Sequence, residues 1–166
     1  MADGWDIDDA EADSWLEEWA AEDREAAAYL AERVPGLGDE VSPDDARWLD
    51  ALTETISPSD LPDPEDIESA SAVMALEHVD WLGLALGVRR RGPGSALDPA
   101  EVQRDIAHLE DVDGEIEDPS GHLAVLEAAL LHLGPQWQDL GVLDADDRLT
   151  ARGVWGLPRA LHGTWS

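Results

Sequence analysis

Trp137-Gln138-Asp139-Leu140-Gly141-Val142-Leu143-Asp144-Ala145-Asp146-Asp147-Arg148-Leu149-Thr150-Ala151-Arg152-Gly153-Val154-Trp155-Gly156-Leu157-Pro158-Arg159-Ala160-Leu161 is the stretch from which the architecture of the chain can be read. A short helix closes at Leu140, with Gly141 where a left-handed residue ends helices. Two brief pairs, Val142-Leu143 and Arg148-Leu149, are separated by Asp144 to Asp147, the spacing of a hairpin with a four-residue loop. Thr150 then offers a side-chain oxygen to cap a new helix. Pro158 is predicted to kink that helix or to split it after Gly156.

Working back from this stretch, a helix is predicted over 119–133, with Leu123, Leu126, Leu130 and Leu133 at heptad-like spacing and a stop at Gly134-Pro135. Another over 99–109 points Val102, Ile106 and Leu109 inward. A third, over 64–86 with its end at Gly87, is apolar nearly all round from Ala70 onward and is the predicted centre of the core. Glu77, His78 and Asp80 within it argue against a membrane span. Helix, helix, short helix, two-stranded wing and closing helix is the order of a winged-helix-like unit. The predicted class is therefore mainly α, a helical domain with a C-terminal winged-helix-like unit and one short two-stranded hairpin.

Upstream, 43–56 places Ala46, Leu49, Leu52 and Ile56 on a single helical face, and Ser14-Trp15-Leu16-Glu17 fits a capping box opening a helix that stops before Pro35-Gly36. Trp15, Trp19, Ala26, Leu30 and Val34 fall near one stripe of that helix. Four helices share one opening device, a capping side chain followed by proline: Ser42-Pro43, Asp63-Pro64, Asp98-Pro99 and Asp118-Pro119. The cap accepts an otherwise orphaned amide, and proline has no amide to orphan. The expected division is a mobile acidic arm over 1–13, an acidic helical part over 14–62 and a helical core carrying the winged unit over 63–166.

Composition narrows the chemistry. The 166 residues are enough for one core without staples, and the chain has no cysteine, which excludes disulfides, thiolate catalysis and cysteine-bound zinc. Its formal charge is −29, and all 10 basic residues are arginine. With no lysine there is neither Schiff-base chemistry nor a Walker-type phosphate loop. The preference for arginine also suits a genome rich in G and C. Acid is concentrated upstream, where residues 1–70 hold 23 acidic and 3 basic side chains. Charge of this sign repels nucleic acid and anionic membrane surfaces and favours a basic protein as partner. The acidic start, without an apolar run behind it, predicts a cytoplasmic protein.

No motif carries chemistry. Aligning Gly114 with the turn glycine of a calcium loop puts Leu109 and Ser120 at positions that require carboxylates, so Asp111-Val112-Asp113-Gly114 reads as an acidic connection. His78, His108, His122, His132 and His162 never fall three or four apart, so no helix face presents a local imidazole pair. Gly92-Pro93-Gly94-Ser95 lacks the context of a nucleophile elbow. No cofactor, metal or catalytic residue is therefore assigned.

The candidate partner-binding residues are Asp144, Asp146 and Asp147 at the wing tip, Trp155 and Trp165 as indole anchors, and Arg89, Arg90 and Arg91, the one cationic spot, in a loop that runs to Ser95. Against DNA binding stand Gln136, Gln138 and Asp139 on the short helix and the three tip aspartates, opposed only by Arg148 and Arg152. Affinity for DNA needs cations on phosphates.

The segment Leu149 to Leu161, preceded by Trp137 and by Leu140-Gly141-Val142-Leu143-Asp144, resembles the C-terminal signature of uncharacterised proteins from high-GC actinobacteria, the likeness reaching back to about Trp81. The resemblance implies no reaction and no binding site. The expected function is non-catalytic binding of a basic protein by a regulatory or inhibitory acidic module, with mimicry of nucleic acid as a special case. A winged-helix DNA-binding regulator and a carboxylate-dependent hydrolase are the alternatives.

Overall fold

Seven helices order the residues that the computed structural model describes, 9–57, 64, 65, 67–109 and 118–166: α1 (Asp9–Arg33), α2 (Pro43–Ile56), α3 (Ile67–Ala75), α4 (His78–Arg91), α5 (Pro99–Ala107), α6 (Pro119–Leu140) and α7 (Ala151–Trp165). Their starts follow from capping. The side chain of Ser42 accepts the Asp45 amide (3.1 Å), Asp98 that of Ala100 (3.0 Å), Asp118 that of Gly121 (3.2 Å) and Thr150 that of Gly153 (3.0 Å). The proposed Asp63 cap and the acidic connection at 110–117 lie outside the described residues. None of the described helices is long and apolar enough to cross a membrane.

Four helix boundaries differ from the sequence reading, each for a physical reason. α1 begins at Asp9, so Ser14 and Glu17 sit inside it and cap nothing, and the expected arm keeps only residues 1–8, outside the described part. The helix expected over 64–86 is two, because the Asp80 carboxylate turns back to accept the Glu77 amide (2.9 Å) and opens α4 as a capping box. α4 then runs through Gly87 to Arg91, so the arginine triplet ends a helix, where cations meet the negative end of its dipole. α6 passes Gly134-Pro135 and ends at Leu140, with Gly141 in the left-handed conformation at φ 79°. Pro135 cannot donate to the Leu131 carbonyl, and Leu131 lies on the solvent face of the helix. α7 is likewise continuous through Pro158.

The core is one shared cluster, to which α4, the second part of the helix expected over 64–86, contributes the most buried residues. Trp81, Leu82, Leu84, Ala85 and Val88 are buried among Ala26, Ala27 and Leu30 of α1, Leu52 and Ile56 of α2, Val102 and Ile106 of α5, Leu126, Ala129, Leu133 and Trp137 of α6, and Leu157, Leu161 and Trp165 of α7. Each fully buried leucine contributes roughly 1.5–3 kcal/mol relative to exposure. α5 packs on α4, α3 packs on α6, and α7 is held by α1, α2 and α4.

The two-stranded hairpin is reduced to single bridges: among the described residues Leu143 pairs antiparallel with Leu149, Ala96 with Arg148, and no strand forms. Asp144 donates its amide to the Arg148 carbonyl (2.8 Å) and Thr150 to that of Val142 (3.0 Å). On the other side, Leu149 donates to Ser95 (2.9 Å) and Gly94 donates to Leu149 (2.7 Å). Three short extended pieces therefore meet where the chain leaves α4, leaves α6 and enters α7.

Candidate functional site

The turn between α6 and α7 is anchored by apolar side chains and shaped by polar ones. Val142, Leu143 and Leu149 are buried, and the Trp137 carbonyl accepts the amides of Val142 (2.8 Å) and Leu143 (3.2 Å). Asp144 Oδ1 accepts the amides of Asp146 (2.9 Å) and Arg148 (3.0 Å), a side-chain-closed turn. Asp147 stands at φ 61°, a left-handed conformation that aspartate tolerates, and its Oδ1 accepts from Gln138 Nε2 (2.6 Å). All three tip aspartates are exposed, two of them already engaged in shaping the turn. Gln138, the side chain best suited to read an adenine edge, is held by Asp147.

Most of the arginines here have partners within the chain. Arg90 and Arg91 both donate to Asp105, a buried carboxylate on α5, and Arg91 also faces Glu101 (3.5 Å). Gly87 makes this possible, since a Cβ there would overlap the Asp105 carboxylate. Arg148 donates to the Gly94 carbonyl (2.9 Å), which ties the turn to the segment after α4. Arg152 pairs with Asp45 of α2 (3.2 Å) and lies 4.4 Å over the Trp48 ring. Arg159 lies 4.6 Å over Trp155, and burial lowers its pKa, with Asp39 opposing the shift and Arg89 adding to it. Of the triplet, Arg89 and Arg90 are exposed and Arg91 is largely covered.

The two candidate indoles separate. Trp165 is buried against His78 of α4, ring centroids 5.1 Å apart, and so belongs to the core and is no free anchor. Trp155 is half-buried and packs 6.3 Å from Trp48, whose indole N–H donates to the Leu140 carbonyl (2.6 Å). A Cβ at Gly156 would overlap the Trp48 ring, so this glycine admits α2 against α7. The result is a row of Arg152, Trp48, Trp155 and Arg159 across α2 and α7, two indoles flanked by two guanidinium groups.

Sequence reasoning missed the polar network that joins α4, α5 and α6. His122 Nε2 donates to buried Asp80 Oδ1 (2.7 Å), while Gln103 Nε2 donates to His122 Nδ1 (3.1 Å) and to the Pro119 carbonyl (2.8 Å). Carboxylate on one side and amide N–H on the other place the imidazole proton on Nε2. No spacing signals such a contact, because its members are 42 and 19 residues apart. With no nucleophile in the network, its work is to fix the crossing of three helices. His122→Ala removes one of two partners of a buried carboxylate and is expected to cost about 1–3 kcal/mol, read as a lower urea midpoint by far-UV circular dichroism. An unchanged midpoint would show the bond to be dispensable.

The most exposed large apolar side chains of α1 are Trp15 (49%), Leu16 (60%) and Trp19 (64%), and of these the sequence placed Trp15 and Trp19 on the packed stripe of that helix. The body covers that stripe only from Asp23 onward, where Asp23 accepts from His78 (2.6 Å) and Ala26, Ala27 and Leu30 are buried. Comparison of the chain with protein-family models, with curated proteins and with solved structures finds no match.

Proposed function

We propose that the chain is a non-catalytic, acidic protein-binding module whose partner is basic. The observation that carries this reading is that, Arg89 apart, the arginines at the end of α4 and beside the turn are engaged within the chain. Arg90 and Arg91 serve Asp105, Arg148 serves the Gly94 carbonyl and Arg152 serves Asp45. Exposed Asp139, Asp144, Asp146 and Asp147 face solvent around the turn, and the chain as a whole carries −29. Such a surface attracts cationic proteins over several ångströms and speeds their encounter. Occupation of a partner's nucleic-acid groove by this surface is the inhibitory form of the same reading.

The stretch from α4 to α7 is proposed as a winged-helix-like unit. Its support is the meeting of segments 94–96, 142–144 and 148–150 between successive helices, the connectivity such units share. Fold does not fix function, and here the tip bears the sign of the phosphate backbone.

The test is fluorescence anisotropy with a labelled DNA duplex at low salt, beside titration with basic nucleic-acid-binding proteins and acidic proteins of equal size. The expected result is no association with duplex, and saturable association with basic proteins that weakens as salt is added. Duplex retained at low salt and released with a steep salt slope overturns the reading in favour of a DNA-binding regulator.

A further inference from the structure

The seam of α1 runs Leu16, Trp19, Asp23, Ala26, Leu30, with spacings of three and four residues that keep one helix face in register. Its C-terminal half is closed by α7 and α4, and the contact of Asp23 with His78 marks the border. Beyond that border the same face continues toward the N-terminus for about 12 Å, from Asp23 to Trp15, presenting two tryptophans and a leucine to solvent. Two indoles about one turn apart form an apolar surface of the kind that fills a partner's groove.

Charge decides the occupant. From Asp9 to Asp23 the sequence has seven acidic residues and no basic one. A second copy of the chain would bring the same sign of charge, Glu17, Glu18, Glu22 and Asp23 included, against itself well inside the screening length of about 8 Å. An anionic membrane surface is repelled for the same reason. A groove rimmed by arginine or lysine is attracted. We propose that this overhanging part of α1, through Trp15, Leu16 and Trp19, is a docking helix for a protein whose apolar groove carries a cationic rim. The inference rests on the reading of the chain as an acidic protein-binding module and names the element that enters the partner.

The experiment is a titration of the full chain followed by the indole N–H signals in a 15N–1H spectrum, with Trp15 and Trp19 assigned by Trp15→Phe and Trp19→Phe. The probe is a cationic amphipathic helical peptide of leucine and lysine, beside a scrambled isomer of equal charge. The expected result is saturable movement of the Trp15 and Trp19 signals with the amphipathic peptide, the buried Trp137 signal remaining still. Replacing both indoles by serine is expected to lower affinity at least about tenfold with an unchanged circular dichroism spectrum. Peptide binding that moves other signals and leaves these two in place overturns the docking helix while the acidic-module reading stands. No binding of either peptide overturns both. Concentration-dependent sedimentation abolished by the serine variant identifies a second copy as the occupant and overturns the proposal. Movement of the two signals on deleting residues 1–8, or on adding zwitterionic vesicles, overturns it in favour of the chain's own beginning or a lipid surface.

Discussion

Trp137→Ala is expected to destabilise the chain by about 3–5 kcal/mol, the range for truncating a fully buried tryptophan. A domain of this size has roughly 5–15 kcal/mol in all, so the variant loses a large share of its stability and sits close to unfolding. Trp137 has no exposed surface, and it lies near the end of α6 with its indole N–H donating to Thr55 Oγ1 of α2 (2.9 Å). Its carbonyl also receives the amides of Val142 and Leu143, so the ring packs where α6, α2 and the start of the turn converge. The loss is dominated by volume. Thr55 donates its own proton to the Leu52 carbonyl (2.6 Å) and keeps that bond when the indole is removed. Trp137→Phe, which retains most of the ring and removes the N–H donor, is therefore expected to cost about 1–2 kcal/mol. Urea unfolding followed by far-UV circular dichroism measures both without relying on the fluorescence of the residue removed. A phenylalanine variant as unstable as the alanine variant would shift the weight from packing to the hydrogen bond.

The same residue shows where sequence reading works and where it stops. Trp137 to Leu140, Gly141 and the Thr150 cap were legible because each is local: a left-handed glycine, a capping oxygen and an apolar pair act over a few residues. The inward faces of α2 and α5, with Leu52 and Ile56 and with Val102 and Ile106, were legible for the same reason, since helical period follows directly from spacing. Boundaries inside apolar runs were not. Glu77 and Asp80 looked like polar interruptions of one buried helix, and they are the capping box that starts a new one. Pro135 and Pro158 looked like breaks, and both lie within continuous helices. Packing on α6 and α7 outweighs one missing hydrogen bond each. At the candidate site, the charge of the tip could be read from Asp144, Asp146 and Asp147, but the capture of Gln138, Arg148 and Arg152 by other parts of the chain could not. Of the stripe drawn on α1, Ala26, Leu30 and Val34 are buried and Trp15 and Trp19 are exposed, because no local pattern says where the protein body that covers it ends.

Asp105→Ala is expected to cost about 3–5 kcal/mol, because it leaves a largely buried guanidinium without its carboxylate. The Asp105 side chain is 7% exposed and receives both Arg90, 68% exposed, and Arg91, 16% exposed. The two arginines then respond differently. Arg90 returns to water, so Arg90→Ala is expected to cost less than about 1 kcal/mol. Arg91 keeps only Glu101 at 3.5 Å, and its Nε and Nη2 already lack a hydrogen-bond acceptor, so it carries most of the loss. Gly87→Ala tests the same contact from the opposite side, since its Cβ would occupy the space of the carboxylate and displace it, at about 1–3 kcal/mol. Because alanine at 105 vacates that space, the double variant is expected to be clearly less unstable than the two single losses added together. Full additivity in urea midpoints would mean that the glycine and the aspartate do not share a site. The cycle also bears on function, since Asp105 engages two of the three arginines at the end of α4. An Asp105→Ala chain that remains folded carries two more available cations beside Arg89, and any duplex affinity it gains at low salt measures how far that carboxylate holds the surface acidic.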